Sequence, residues 1–276
     1  MPKLDFDGNT VNVRDAGDGP PVILLHSSSS HSGQWKQLSD QISDKFRVLA
    51  PDFYGYGQSD PLPADDRPYF RHDGDIVSML MDTLDAPAHV VGHSLGGTVA
   101  VRSALERPER VASLTLIEPV LFNLLEESED PARGEYLELA HAMMVLVRFG
   151  DRERAARLFL DYWVGPGALD GMDAGTRDYT IRTIDRVADD WFGISAYAPG
   201  ALTATDLQAV SSPTLLLCGE KTRPATRRIV EILRGALPEA EYQEIPGAGH
   251  MSPITHPARV NEIVIGFIER QVTADA

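Results

Sequence analysis

The chain has 276 residues, 43% of them hydrophobic, with one cysteine and a formal net charge of -16. That length and apolar fraction supply a substantial core, either one large domain or one domain with an insertion, and the lone cysteine excludes an internal disulfide. The negative balance argues against a nucleic-acid partner or an anionic membrane surface. No run has the apolar length of a secretory signal or a bilayer span, so a cytoplasmic protein with a small-molecule partner is expected and a homo-oligomer stays open.

Leu4 to Phe6 and Val11 to Arg14 alternate apolar and polar residues around Gly8-Asn9, the pattern of an opening antiparallel hairpin. Val22-Ile23-Leu24-Leu25 is instead continuously apolar, as in a strand covered on both faces of a mostly parallel sheet. It runs into a polar loop, His26-Ser27-Ser28-Ser29-Ser30-His31-Ser32-Gly33, ahead of a predicted helix over 35–42. Val48-Leu49-Ala50 makes a further buried strand and leads into the loop between Asp52 and Asp60. Helical spacing over 76–84 then feeds the next strand.

That strand ends in Ala88-His89-Val90-Val91-Gly92-His93-Ser94-Leu95-Gly96-Gly97. An apolar run, the pattern Gly-x-Ser-x-Gly centred on Ser94, and an apolar helix over 98–105 together spell strand, sharp turn and helix. Such a turn strains its serine, so the residues two before and two after must be small for strand and helix to pass closely. Ser94 would stand at the carboxyl end of a strand, beside the Leu95 N–H at a helix start where negative charge is favoured.

Leu114-Thr115-Leu116-Ile117 is the next buried strand, ending in Glu118-Pro119. Over 119–205 the periodicity predicts helices (136–149, 152–162 and 176–187) and no strand, so this stretch reads as a helical insertion dividing a core made of 1–118 and 206–276. Alternation resumes with the apolar strand 214–218, in which Cys218 reads as a small buried hydrophobe, a helix over 225–237 and a strand over 241–245. Gly247-Ala248-Gly249-His250 and an amphipathic helix over 257–271 close the chain. Four segments thus gather at the carboxyl edge of a parallel sheet, where ligands bind: the serine loop, the 52–60 loop, the Ser94 turn and the His250 loop.

On these residues the sequence resembles the α/β-hydrolase superfamily, in particular its cap-bearing serine hydrolases. The resemblance implies an α/β fold, with an eight-stranded, mostly parallel sheet, helices on both faces and an inserted helical cap. It also implies a triad in the chain order Ser, acid, His. Ser94 is then the nucleophile, His250 its general base and later general acid, and the backbone N–H groups of Ser28 and Leu95 the oxyanion donors. His93 resembles the usual neighbour of the nucleophile and His26 the usual start of the oxyanion loop. His256 reads as a capping or surface residue, and His31 and His72 carry no assignment.

The chain departs from the family pattern twice. A glycine usually follows the first histidine, whereas here Ser27 and three more serines follow, a loop reached at some conformational cost and with hydroxyls that could add a donor. The acid usually lies in the segment corresponding to Gly219-Glu220-Lys221-Thr222-Arg223, yet Thr222 stands at its place, and a threonine cannot stabilise an imidazolium by charge. A less common arrangement puts the acid after the strand that follows the nucleophile helix, where this chain carries Glu118. Glu118 is therefore expected to complete the triad, with Glu220 the runner-up and a Ser94–His250 dyad third.

Asp52 and Asp60 are expected to hold loop geometry through backbone N–H groups. Tyr136, His141, Met143, Met144, Trp163, Trp191, Phe192 and Tyr197 are candidates to line a pocket, against a background in which apolar residues at helical spacing mostly pack. No metal or organic cofactor is expected. A serine at the elbow favours hydrolysis of a small carboxylic ester through an acyl-enzyme. The alternatives are carbon–carbon bond hydrolysis of a diketone-type substrate with the same residues, or a ligand-binding member with little turnover.

Overall fold

The continuously apolar runs become strands buried along their whole length, because helices cover the sheet on both sides. The computed structural model describes residues 3–6, 8–63, 69–194, 200–237 and 239–274. Its strands are Lys3–Phe6 (β1), Asn9–Ala16 (β2), Pro21–Leu25 (β3), Arg47–Pro51 (β4), Ala88–His93 (β5), Val111–Ile117 (β6), Thr214–Gly219 (β7) and Glu241–Ile245 (β8). They form one eight-stranded sheet in the order β1-β2-β4-β3-β5-β6-β7-β8. The β1/β2 and β2/β4 pairs are antiparallel and every later pair is parallel.

The helices are Lys36–Ile42 (α1), Tyr69–Asp82 (α2), Leu95–Glu106 (α3), Asn123–Glu127 (α4), Arg133–Arg148 (α5), Arg152–Trp163 (α6), Ala174–Gly193 (α7), Ala204–Leu207 (α8), Pro224–Ala236 (α9), Ser252–Thr255 (α10) and Pro257–Ala274 (α11). The two-residue period of the strands sorts the core. Val22, Leu24, Val91, Leu215 and Leu217 pack with Trp35 and Leu38 near and on α1 and with Val260, Val264 and Phe267 of α11. Ile23, Leu25, Val90, Leu116 and Leu216 turn to the opposite face, toward Leu80 of α2, Val99 of α3 and Ile229 of α9.

Between β6 and β7 the described residues form helices α4 to α8. Here the sequence periodicity falls short of the structure. Helix α7 runs from Ala174 to Gly193, beyond the predicted 176–187, because its amino end is fixed by Asp173, whose side chain accepts from Thr176 N–H, and its far end is buried through Asp190 and Trp191. The short α4 and α8 have too few residues to show a period.

Candidate active site

Ser94 follows β5 and precedes the first turn of α3, with φ 55° and ψ −118°. This left-handed backbone is costly for any residue with a Cβ. The crowding around it explains the flanking glycines: a Cβ on Gly92 would lie 2.2 Å from the Gly96 carbonyl oxygen, and one on Gly96 would lie 2.3 Å from that of Leu25. Strand, turn and helix therefore touch backbone to backbone. The Ser94 hydroxyl is brought to the sheet edge, and Leu95 N–H sits in the first turn of α3, where amides lack intrahelical acceptors.

His250 reaches this hydroxyl from the loop after β8, with Nε2 3.0 Å from Ser94 Oγ. Its Nδ1 lies 2.7 Å from Glu118 Oε2. Glu118 directly follows β6, is fully buried, and also has left-handed backbone at φ 44°. Its carboxylate accepts from Gly219 N–H at 2.6 Å and from the Thr222 hydroxyl at 2.6 Å. Thr222, at the place where the family usually has its acid, is thus a donor to Glu118. Glu220 instead accepts from Gly247 N–H at 2.6 Å on the exposed side of the loop. Trp163 of α6 stacks on the His250 ring, with centroids 3.8 Å apart and planes 25° from parallel.

The neighbouring histidines are buried and neutral. His26 accepts from Phe53 N–H at Nε2 and donates from Nδ1 to Ser27 O; burial brings its pKa down to about 4. His93 is held well below the usual histidine range by burial first and by nearby His250 second. Its Nε2–H donates to His250 O at 2.9 Å, and its Nδ1 accepts from Gln34 Nε2 at 3.1 Å. The Gln34 carbonyl oxygen in turn accepts from Ser27 N–H and Ser27 Oγ–H. One chain of hydrogen bonds therefore ties the His250 loop to the serine loop.

Within that loop the expected conformational cost falls elsewhere than on the residue after His26. Ser27 stays out of the left-handed region, and Ser29 enters it at φ 54°. The hydroxyls of Ser28 and Ser29 are engaged rather than spare: Ser28 Oγ–H donates to Asp190 at 2.8 Å, and Ser29 Oγ lies 3.0 Å from Thr183 Oγ1. Asp52 and Asp60 act on loop geometry. Asp52 accepts from Ser32 N–H, Gln58 N–H and Asn12 Nδ2, and Asp60 accepts from Thr10 N–H.

Ser94 and His250 open into a cavity of about 610 Å³. Phe159, Leu160 and Trp163 give it an apolar wall, and Ser28, Tyr179 and Thr180 a hydroxyl-bearing one. Of the eight insertion residues singled out from the sequence, Trp163 lines this cavity. Tyr136 stacks on Phe122, Met143 is buried, and Trp191 joins the same aromatic cluster. His141 and Phe192 are exposed, Met144 is half-buried, and Tyr197 lies outside the described residues. Sequence reading missed Phe159, Leu160, Met172, Thr176, Tyr179 and Thr180. The signal was the three- and four-residue spacing within 159–163 and 176–180, which marks one face of each helix without saying what it faces; Met172 precedes α7 and carries no such signal. Cys218 is a buried hydrophobe as expected, its thiol pushed up to about 12 by burial first and Glu118 second.

Among the described residues, no cluster of histidine, cysteine and carboxylate side chains could hold a metal ion, and no helix is long and apolar enough to cross a membrane. Compared with known proteins, residues 22–263 match the model of the alpha/beta hydrolase family. The chain is 26% identical over 262 residues to pimeloyl-[acyl-carrier protein] methyl ester esterase of Nitrosomonas europaea, covering 90% of this chain and 95% of the relative. It is 27% identical over 273 residues to 2-hydroxymuconate semialdehyde hydrolase of Pseudomonas putida, covering 95% of this chain and 91% of the relative. The crystal structure of the enol-lactonase from Burkholderia xenovorans shares its fold, with a TM-score of 0.77 at 23% identity over 97% of this chain and 100% of that one.

Proposed function

This chain belongs to the α/β-hydrolase family, and from that premise we propose that it is a serine hydrolase of small carboxylic esters, acting through an acyl-enzyme. The observation that carries the reading is the continuous relay from Ser94 Oγ through His250 to Glu118, at 3.0 and 2.7 Å. Ser94 Oγ attacks the ester carbonyl while His250 Nε2 takes its proton. Glu118 holds Nδ1–H, fixes the tautomer and balances the imidazolium charge. The oxyanion is met by the N–H groups of Leu95 and Ser28. His250 then returns the proton to the leaving alcohol, and a water activated by the same nitrogen releases the acid and restores Ser94. Helices of the 119–205 insertion serve as a cap, with Trp163 closing over the base.

The test is covalent trapping. A fluorophosphonate should add one adduct per chain, located on Ser94 by peptide mass spectrometry and missing from Ser94→Ala. Absence of labelling in the folded wild type would remove the serine-hydrolase reading. A second reading, carbon–carbon bond hydrolysis, is favoured by the likeness to the semialdehyde hydrolase. Turnover of a vinylogous diketone at least tenfold faster, as kcat/KM, than that of an aryl ester would select it.

A further inference from the structure

We infer that one face of helix α7 positions the proposed oxyanion donor Ser28, with Asp190 and Thr183 as positioning residues; this rests on the serine-hydrolase reading above. Tyr179, Thr183 and Asp190 are spaced four and seven apart, so they share a stripe along the helix. Each engages one member of the serine run. The Tyr179 hydroxyl donates to Ser30 O at 2.7 Å, Thr183 Oγ1 lies 3.0 Å from Ser29 Oγ, and Asp190 Oδ2 accepts from Ser28 Oγ–H at 2.8 Å. Thr183 already directs its hydroxyl proton to the Tyr179 carbonyl at 3.0 Å, so Ser29 is the donor of the middle pair.

The stripe is itself immobilised. Asp190 is paired with Arg186 one turn earlier and accepts from the Tyr56 hydroxyl at 2.5 Å. Arg186, buried between α7 and the core, also holds Asp73 of α2 at 2.7 Å and donates from Nε to Tyr54 O at 3.0 Å. The left-handed Ser29 beside Ser28 is thus fixed by contacts to a helix more than 150 residues away in the chain. The run beyond Ser27 supplies, in Ser28 and Ser29, the side-chain hydroxyls that this helix grips. The placement of the insertion therefore sets the geometry in which the Ser28 amide meets the developing oxyanion.

The test uses Ser29→Ala, Thr183→Val, Asp190→Asn and Asp190→Ala, with kcat and KM on a short aryl ester and the affinity of a trifluoromethyl ketone of matching chain, whose adduct with Ser94 carries the oxyanion. Removing one oxyanion donor costs about 10²–10³ in kcat, and loosening one should cost part of that. Ser29→Ala and Thr183→Val are expected to lose about tenfold in kcat and in ketone affinity, with KM within about twofold. Asp190→Ala should lose about a hundredfold, and Asp190→Asn, which keeps an acceptor for Ser28, should recover most of it. Should Asp190→Ala fail to fold, Ser29→Ala and Thr183→Val carry the test alone. Wild-type kcat and ketone affinity in both, or a raised KM at unchanged kcat, overturns the inference. Failure of the underlying reading is distinguishable, because the wild type would then turn over no ester and take no label on Ser94.

Discussion

Ser94 and Glu118 each stand directly after a parallel strand, and each carries left-handed backbone without being glycine. For an L-residue this costs about 1–2 kcal/mol, and both lie where the proposed chemistry needs a side chain aimed off the sheet edge. The Ser94 strain was legible, because Gly92 and Gly96 advertise it locally. The Glu118 strain was not, since nothing in Ile117-Glu118-Pro119 records that the carboxylate meets Gly219, Thr222 and His250 from across the sheet. Thr222→Val removes a hydrogen bond to a carboxylate, a contact worth about 1.5–3 kcal/mol. We expect kcat to fall about tenfold with folding retained; an unchanged rate would show that Glu118 is held without it. Gly92→Ala forces a Cβ against the Gly96 carbonyl, and a melting temperature within a degree of wild type would contradict the backbone contact described.

At the scale of elements, helix α7 holds what the sequence concealed. Its helical period was visible, but the charges of Arg186 and Asp190 look like those of a solvated face, and only packing against α2 and the serine loop buries them. That burial raises the Asp73 carboxyl to about 7, with Arg186 pulling the other way. The folded carboxyl keeps its proton where the unfolded one, near 3.8, has lost it. The native state thus binds the extra proton between these values, and this group's contribution to stability falls as pH rises through them. His26 and His93, lowered by burial, act with the opposite sign, so the contrast belongs to a variant rather than to the wild-type curve. The melting temperature of Asp73→Asn relative to wild type should climb from pH 5 to pH 8. A flat difference would mean that Asp73 does not titrate in this window.

Across the whole molecule, the central strands of the eight-stranded sheet were readable because their burial on both faces is written locally, in runs such as Val22-Ile23-Leu24-Leu25. The cavity was not. It forms between helix faces and loops far apart in the chain, so the periodicity that marks Phe159, Leu160 and Thr180 as facing inward cannot tell packing from lining. Trp163 on His250 is such a long-range contact. The net charge of -16 makes self-repulsion a global term. Raising sodium chloride from about 20 to 500 mM shortens the screening length to a few ångströms and should raise the melting temperature; a fall would show that the many surface ion pairs outweigh the repulsion.

The central claim is that Glu118, rather than Glu220, supports His250. It is tested most directly by burst and steady-state hydrolysis of a short-chain chromogenic ester with wild type, Glu118→Gln and Glu220→Gln, each checked for folding. Loss of a triad carboxylate costs about 10⁴ in kcat. The structure predicts a loss approaching that for Glu118→Gln and a rate within about threefold of wild type for Glu220→Gln, whose carboxylate only holds Gly247 N–H. Intact activity in Glu118→Gln together with its loss in Glu220→Gln would contradict the assignment.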